Sequence, residues 1–105
     1  MIHHPNIPES ARQFLEHIST DYVIESLILF GSRAIGDHDE RSDVDIAVCG
    51  PAISRLEWAR LRAAAYKANT LYWVSLVHFD RNPPSLRARI IETGVEIYVQ
   101  TKTTR

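Results

Sequence analysis

The sequence predicts one α/β domain in which helices and strands alternate. Three observations carry that reading: a wholly apolar pentapeptide ended by glycine, an alternating acidic–apolar segment, and helical periodicities placed between strand-like runs. The chain has 105 residues, enough for one compact core and too few for two, so residues 1–105 are read as a single domain. Its first half-dozen residues and 101–105 are expected as loose ends.

The elements follow in order. Ile7, Ala11, Phe14, Leu15 and Ile18 recur at helical spacing, and the helix is expected to open near Asn6 with Pro8 in its first turn. Ser26-Leu27-Ile28-Leu29-Phe30, stopped by Gly31, reads as a strand buried on both faces. Val44, Ile46 and Val48 alternate with Asp43, Asp45 and Ala47, so a second strand carries both aspartates on one face. Ser54 and Glu57 form a capping box. The helix it opens is expected to bury Leu56, Ala59, Leu61, Ala64, Ala65 and Ala68, and to stop around Asn69. Trp73 to Phe79 is a third strand. Asn82-Pro83-Pro84 starts another helix with Leu86, Ile90 and Ile91 inward, and Gly94 is expected to end it in the left-handed conformation. Val95 to Val99 is the fourth strand.

Composition narrows the function. Twelve Lys and Arg against thirteen Asp and Glu argue against a protein built chiefly to grip nucleic-acid backbone. A single cysteine, Cys49, offers no internal disulfide, and neither a secretory signal nor a membrane-length apolar run is present. The expectation is a cytoplasmic protein.

Residues Leu27 to Val48 carry the chemistry. Gly31 lets backbone N–H groups approach a phosphate closely, and Ser32 adds a hydroxyl donor. A short helix beginning near Ser32 would add a partial positive charge. Asp43 and Asp45 project from one strand face about 6.6 Å apart at the backbone. Two hard oxygen ligands at that spacing suit Mg²⁺, which completes its shell with phosphate oxygens. A phosphate cradle opposite a carboxylate pair is what a Mg²⁺–nucleoside triphosphate needs. Arg33 either pairs with a phosphate or forms an exposed ion pair.

Gly31-Ser32, ten residues, then Asp43-x-Asp45 resembles the signature of the nucleotidyltransferase superfamily that includes DNA polymerase β. The likeness is closest to its minimal nucleotidyltransferase (MNT) branch. It extends through Arg33-Ala34, Val48, the Phe79-Asp80-Arg81 strand end, the proline-started helix, Gly94 and Tyr98. It implies a polymerase-β-like mixed sheet of about four strands with packed helices. It also implies that Gly31, Ser32 and Arg33 bind nucleotide, and that Asp43 and Asp45 hold Mg²⁺ and serve catalysis. Many MNT proteins are antitoxins paired with a HEPN-domain RNase toxin, which they silence by moving AMP from ATP to a tyrosine. The resemblance therefore implies an MNT antitoxin with a HEPN partner and ATP as co-substrate.

One position departs from the pattern. The family's third carboxylate falls on Ser75 in Val74-Ser75-Leu76-Val77-His78-Phe79-Asp80, and Asp80 lies on the opposite strand parity. Serine is a poor base at pH 7, so the second metal, which activates the nucleophile, should bind weakly. Two further readings stand beside the antitoxin enzyme: a non-catalytic module that neutralises its partner by occlusion, and a transferase acting on a small alcohol.

The remaining polar residues have plainer readings. Asp37-His38-Asp39-Glu40 reads as a hydrated turn; Arg41 either balances the acidic strand or is simply exposed. His3, His4, His17 and His78 lack metal-ligand spacing, and Cys49 reads as packing. Trp58, Tyr66, Tyr72 and Trp73 are many large aromatics for a small domain. Any that do not fit inside would mark a partner surface. With no second domain to grip an acceptor, that acceptor is expected to arrive on another folded protein.

Overall fold

A computed structural model of the protein describes residues 2–68 and 72–100. Its helices are α1 (Glu9–Asp21), α2 (Ser32–Ile35), α3 (Arg55–Lys67) and α4 (Pro84–Thr93). Its strands are β1 (Ser26–Phe30), β2 (Val44–Cys49), β3 (Val74–His78) and β4 (Val95–Val99), and a 3₁₀ turn over Phe79–Arg81 follows β3. The strands form one mixed sheet in the order β3-β2-β1-β4. β1 runs antiparallel to β2 and β4, whereas β2 and β3, joined through α3, are parallel.

Strand alternation divides the sheet into two faces. Leu27 and Leu29 of β1 pair in register with Val48 and Ile46 of β2, and all four are fully buried. Ala11, Leu15 and Ile18 of α1, Ile53, and Leu61 of α3 belong to the same core cluster. Burying each such aliphatic side chain contributes about 1.5–3 kcal/mol, so this face supplies most of the cohesion. The opposite face carries Ile28, Phe30, Asp45, Ala47 and Ser75, and α4 packs against β1.

Several boundaries differ from the sequence reading, each for a local reason. α1 begins at Glu9 with Pro8 as its N-cap, because Pro8 is extended at ψ 151°. Ile2, within the segment expected to be loose, is held in place. It is fully buried, and its N–H donates to Glu16 Oε2 at 2.9 Å. The capping box closes as expected: Glu57 N–H donates to Ser54 Oγ at 3.1 Å and Ser54 N–H to Glu57 Oε1 at 2.9 Å. Of the residues assigned inward on α3, only Leu61 is buried, and Leu56 is 61% exposed. β3 ends at His78 because the chain tightens into the 3₁₀ turn.

Ile91 likewise faces outward, at 64% exposure. Gly94 is extended (φ −85°, ψ 166°), so its requirement is space and not a left-handed backbone. A Cβ there would strike the Ile90 carbonyl and lie 2.5 Å from Ile28 Cγ2. Gly94 thus lets the end of α4 lie on β1. Asn69 and residues 101–105, where a helix stop and a loose end were expected, fall outside the described residues.

Candidate active site

The site forms where β1 ends and β2 begins. Gly31 leaves β1 at φ 76°, ψ −159°, a region open essentially to glycine alone, and caps the single turn α2. That turn closes through Ala34 N–H to Gly31 O at 3.1 Å, and the first amides of a helical turn have no acceptor within it. Gly36, at φ 80°, ends the turn and releases the chain into the acidic loop.

Asp45 faces this loop. It pairs in register with Phe30 on β1, the residue before Gly31. A Cβ on Gly31 would collide with Asp45 Oδ2 and lie 3.2 Å from Cγ, so the carboxylate rests directly against the glycine backbone. The Gly31 backbone and the Asp45 carboxylate are therefore in contact, whereas Asp43, expected on the strand with Asp45, is exposed in the loop just before β2. On the other side, β3 sets Ser75 opposite Asp45 in parallel register. The position read as the third carboxylate is thus Asp45's immediate neighbour on the same face. Asp80, by contrast, sits in the 3₁₀ turn and accepts a bond from Gly50 N–H at 2.8 Å.

The two aspartates act on one another electrostatically. Partial burial raises the Asp45 carboxyl above its ordinary value of 3.8, and the charge of Asp43 raises it further. Among the described residues, no cation forms an ion pair with either aspartate. Two anions held together beside a glycine cradle fit a divalent cation that also carries phosphate oxygens. No group of three His, Cys, Asp or Glu side chains able to hold a metal occurs among the described residues.

Arg33 is placed differently from its nucleotide-binding expectation. It is 4% exposed, and its guanidinium donates to four backbone carbonyls. These are Ser42 O at 3.0 Å, Asn6 O at 2.8 Å, Glu40 O at 3.1 Å and Asp39 O at 3.4 Å. It also lies 5.4 Å from the Tyr72 ring centroid. Asn6 reciprocates by donating from Nδ2 to Arg33 O at 2.8 Å. Arg33 is a brace that ties the start of the chain to the loop entering β2, and so positions Asp43. No spacing rule reveals this, because the acceptors are backbone groups of residues distant in sequence.

The neighbouring polar residues have structural roles. In the acidic loop, Asp39 Oδ1 accepts from Arg41 N–H at 2.8 Å and Ser42 Oγ accepts from Asp39 N–H at 3.0 Å, a closed turn. Arg41 is exposed. His78 is buried under Trp58, with ring centroids 4.8 Å apart, and its Nε2 lies 2.9 Å from Gly50 O. Cys49 is a half-buried free thiol, its pKa pushed up chiefly by burial.

The comparisons agree with this fold. The family described as "Polymerase beta, Nucleotidyltransferase" matches residues 13–103. Similar solved structures include a toxin–antitoxin with AMP-PNP, at 18% identity and TM-score 0.67, covering 89% of this chain and 75% of that one. A mutant of the MntA–HpeT toxin–antitoxin aligns at 18% identity and TM-score 0.62, over 85% and 72%. A protein from Sulfolobus solfataricus described as a nucleotidyltransferase aligns at 20% identity and TM-score 0.57, over 88% and 79%. At such identities these structures establish the fold. No curated protein matches the sequence. Among the described residues no helix is long and apolar enough to cross a membrane.

Proposed function

The chain belongs to the polymerase β-type nucleotidyltransferase family, and from that premise we propose that it is an MNT antitoxin that transfers AMP from ATP to a hydroxyl of a HEPN-domain toxin in the cytoplasm. The observation that carries this reading is the contact between Gly31 and Asp45: the glycine backbone after β1 lies directly against a carboxylate whose proton affinity is raised by burial and by the charge of Asp43. The fold shared with toxin–antitoxin structures supports a protein partner.

In this reading, Gly31 and Ser32 hold the β- and γ-phosphates through backbone N–H groups and the Ser32 hydroxyl. Asp43 and Asp45 would hold Mg²⁺, which when bound offsets charge on the triphosphate and the departing pyrophosphate. Gly31 keeps the loop close enough to Asp45 for both to address one ligand. Arg33 fixes the entry to β2, so that Asp43 is presented without a search among loop conformations. The acceptor oxygen attacks the α-phosphorus, and the bond to the bridging oxygen breaks. Ser75 contributes a hydroxyl but no charge and no effective base, so turnover is slow and depends on how well the partner places its nucleophile.

A second reading draws on the same serine: a module that retains nucleotide and neutralises its partner by occlusion. Incubating the purified HEPN partner with labelled ATP and Mg²⁺ separates the two. Label on the partner that disappears with Asp43→Asn plus Asp45→Asn supports transfer. Absence of label, with the double variant still protecting cells from the toxin, supports occlusion. Label that persists in the double variant contradicts the roles given to the aspartates.

A further inference from the structure

The outward surface of α3 is patterned in a way that its packing on the sheet does not require. Leu61, its one buried residue, joins the core cluster. At about 100° per residue, Leu56, Ala59, Ala63 and Tyr66 form a seam on the opposite side of the helix, and all four are exposed. Leu56 is 61% exposed and Tyr66 is 76% exposed. Leu56 and Ala63 stand one heptad apart, as do Ala59 and Tyr66, so the seam has the a and d spacing by which one helix receives another. Trp73, also exposed, meets Tyr66 edge to face with centroids 5.7 Å apart and widens the apolar surface near the end of the helix.

Every position bordering that seam carries the same charge. In the same heptad the flanking g sites fall on Arg55 and Arg62, and the e sites on Arg60 and Lys67. These four are all the cations of α3, and each is exposed. None of them forms a salt bridge among the described residues. Glu57, the one acid of the helix, is held in the capping box. The seam and its cations lie on the α3 side of the sheet. Asp45 alternates with the core residues Val44 and Ile46 and so stands on the other face.

Charge decides what can cover this surface. A second copy of the chain cannot pack α3 against α3 without opposing cations: parallel helices pair g with e, antiparallel ones pair like with like, and all four sites are basic. A nucleic-acid backbone would meet the cations but leave Leu56 and Tyr66 against charged, hydrated phosphates. A helix with an apolar seam of its own and Asp or Glu beside that seam satisfies both the stripe and its borders. We infer that the outer face of α3 docks an acidic amphipathic helix of the partner protein. This rests on the HEPN-partner half of the reading above and not on AMP transfer. Docking there holds the partner without covering Asp45, so partner affinity and nucleotide binding are separable.

Calorimetry on the purified full chain and the HEPN partner, without nucleotide and at low and high salt, tests this. The variants are Tyr66→Ala, Arg60→Glu plus Arg62→Glu, and, as a control on α4, Ile91→Ala, which removes another exposed apolar side chain. A melting curve checks that each is folded. Tyr66→Ala should weaken the complex by about tenfold or more, as loss of an interface anchor does. The charge reversal should weaken it at least as much at low salt, and should abolish the loss of affinity that salt causes in the wild type. Ile91→Ala should bind as wild type does, and all three should keep the wild-type melting response to Mg-ATP. Wild-type affinity in both folded α3 variants, or equal losses in all three, would overturn the docking surface and leave the partner assignment standing. Charge reversal that abolishes binding of a short RNA but not of the partner would also overturn it. A wild type that does not bind the HEPN protein would remove both. Failure of Mg-ATP to protect the wild type strikes the nucleotide reading alone, because the affinity series still decides what α3 binds.

Discussion

Arg33 and Asp45 flank the same loop and have opposite surroundings. The arginine is almost wholly buried, yet its charge is met by four carbonyls and an aromatic face. The aspartate is only partly buried, yet it faces a second anion and no cation among the described residues. Burial of a charge is tolerated where partners are built in. A charge left without partners raises the free energy of the empty protein and lowers it again when a complementary ligand arrives. The contrast separates a residue that holds the fold from one that serves a ligand, although both lie in the stretch that resembles a nucleotide site.

Substitutions can break that contrast, beginning with the largest effect. Asp43→Asn with Asp45→Asn should lower AMP transfer to the partner on the order of 10²–10³-fold, the usual result of removing preorganised charge at a reacting phosphate. The same variant should melt higher than wild type at neutral pH in the absence of metal. Arg33→Ala should do the opposite to the fold. Chemical denaturation should show a loss of about 3 kcal/mol, since several carbonyls lose a charged donor at once. Arg33→Lys should recover little, because one ammonium cannot reach acceptors spread around a planar fork.

Gly31→Ala tests the contact itself. Its positive φ alone costs about 1–3 kcal/mol for a residue with a Cβ, and the new methyl would displace the Asp45 carboxylate. Nucleotide affinity should fall more than stability, as calorimetry beside a melting curve would show. Ser75→Asp should sharpen the contrast. A third carboxylate beside Asp45 should destabilise the metal-free protein, strengthen its response to Mg²⁺, and raise transfer to the partner. An unchanged, measurable transfer rate would show that Ser75 is not the third-ligand position.

The smallest effect is a pH dependence. Because the folded Asp45 carboxyl is raised above 3.8, the folded state binds the proton more tightly than the unfolded state. Stability attributable to this group is therefore highest at acid pH and is lost as pH rises from 3.8 through the folded value. Asp45→Asn should be close to neutral below pH 3.8 and increasingly stabilising above it, as melting curves across pH would show.

The legible parts of the sequence were those with a local cause. The bounds of β1 and β4 were readable to the residue, but β1, expected to be buried on both faces, alternates fully buried and half-buried residues because only one of its faces meets the main core. The α3 start was readable because Ser54 and Glu57 satisfy one another. The family resemblance placed Ser75 at the third-carboxylate position, while the parallel register that sets it opposite Asp45 comes from the packing of β3 on β2 and leaves no mark in the sequence. What could not be read depended on distant partners. Leu56 and Ile91 lie on helices with wide apolar stripes, and only the position of the sheet decides which part is covered. Gly94 looked like a helix terminator, but its reason is the approach of α4 to Ile28. Ile2 is an isolated apolar residue in a polar start, and Arg33 finds acceptors in two separate segments; neither arrangement leaves a periodic trace.

The central claim is that the Gly31–Ser32 loop and the Asp43–Asp45 pair bind one metal–nucleotide between them. Titrating the protein with ATP in the presence and absence of Mg²⁺, while following its melting temperature, tests this most directly. The account predicts a rise in melting temperature that needs both components and vanishes in Asp43→Asn plus Asp45→Asn. A wild-type melting temperature indifferent to Mg-ATP, or an equal rise in the double variant, would contradict it.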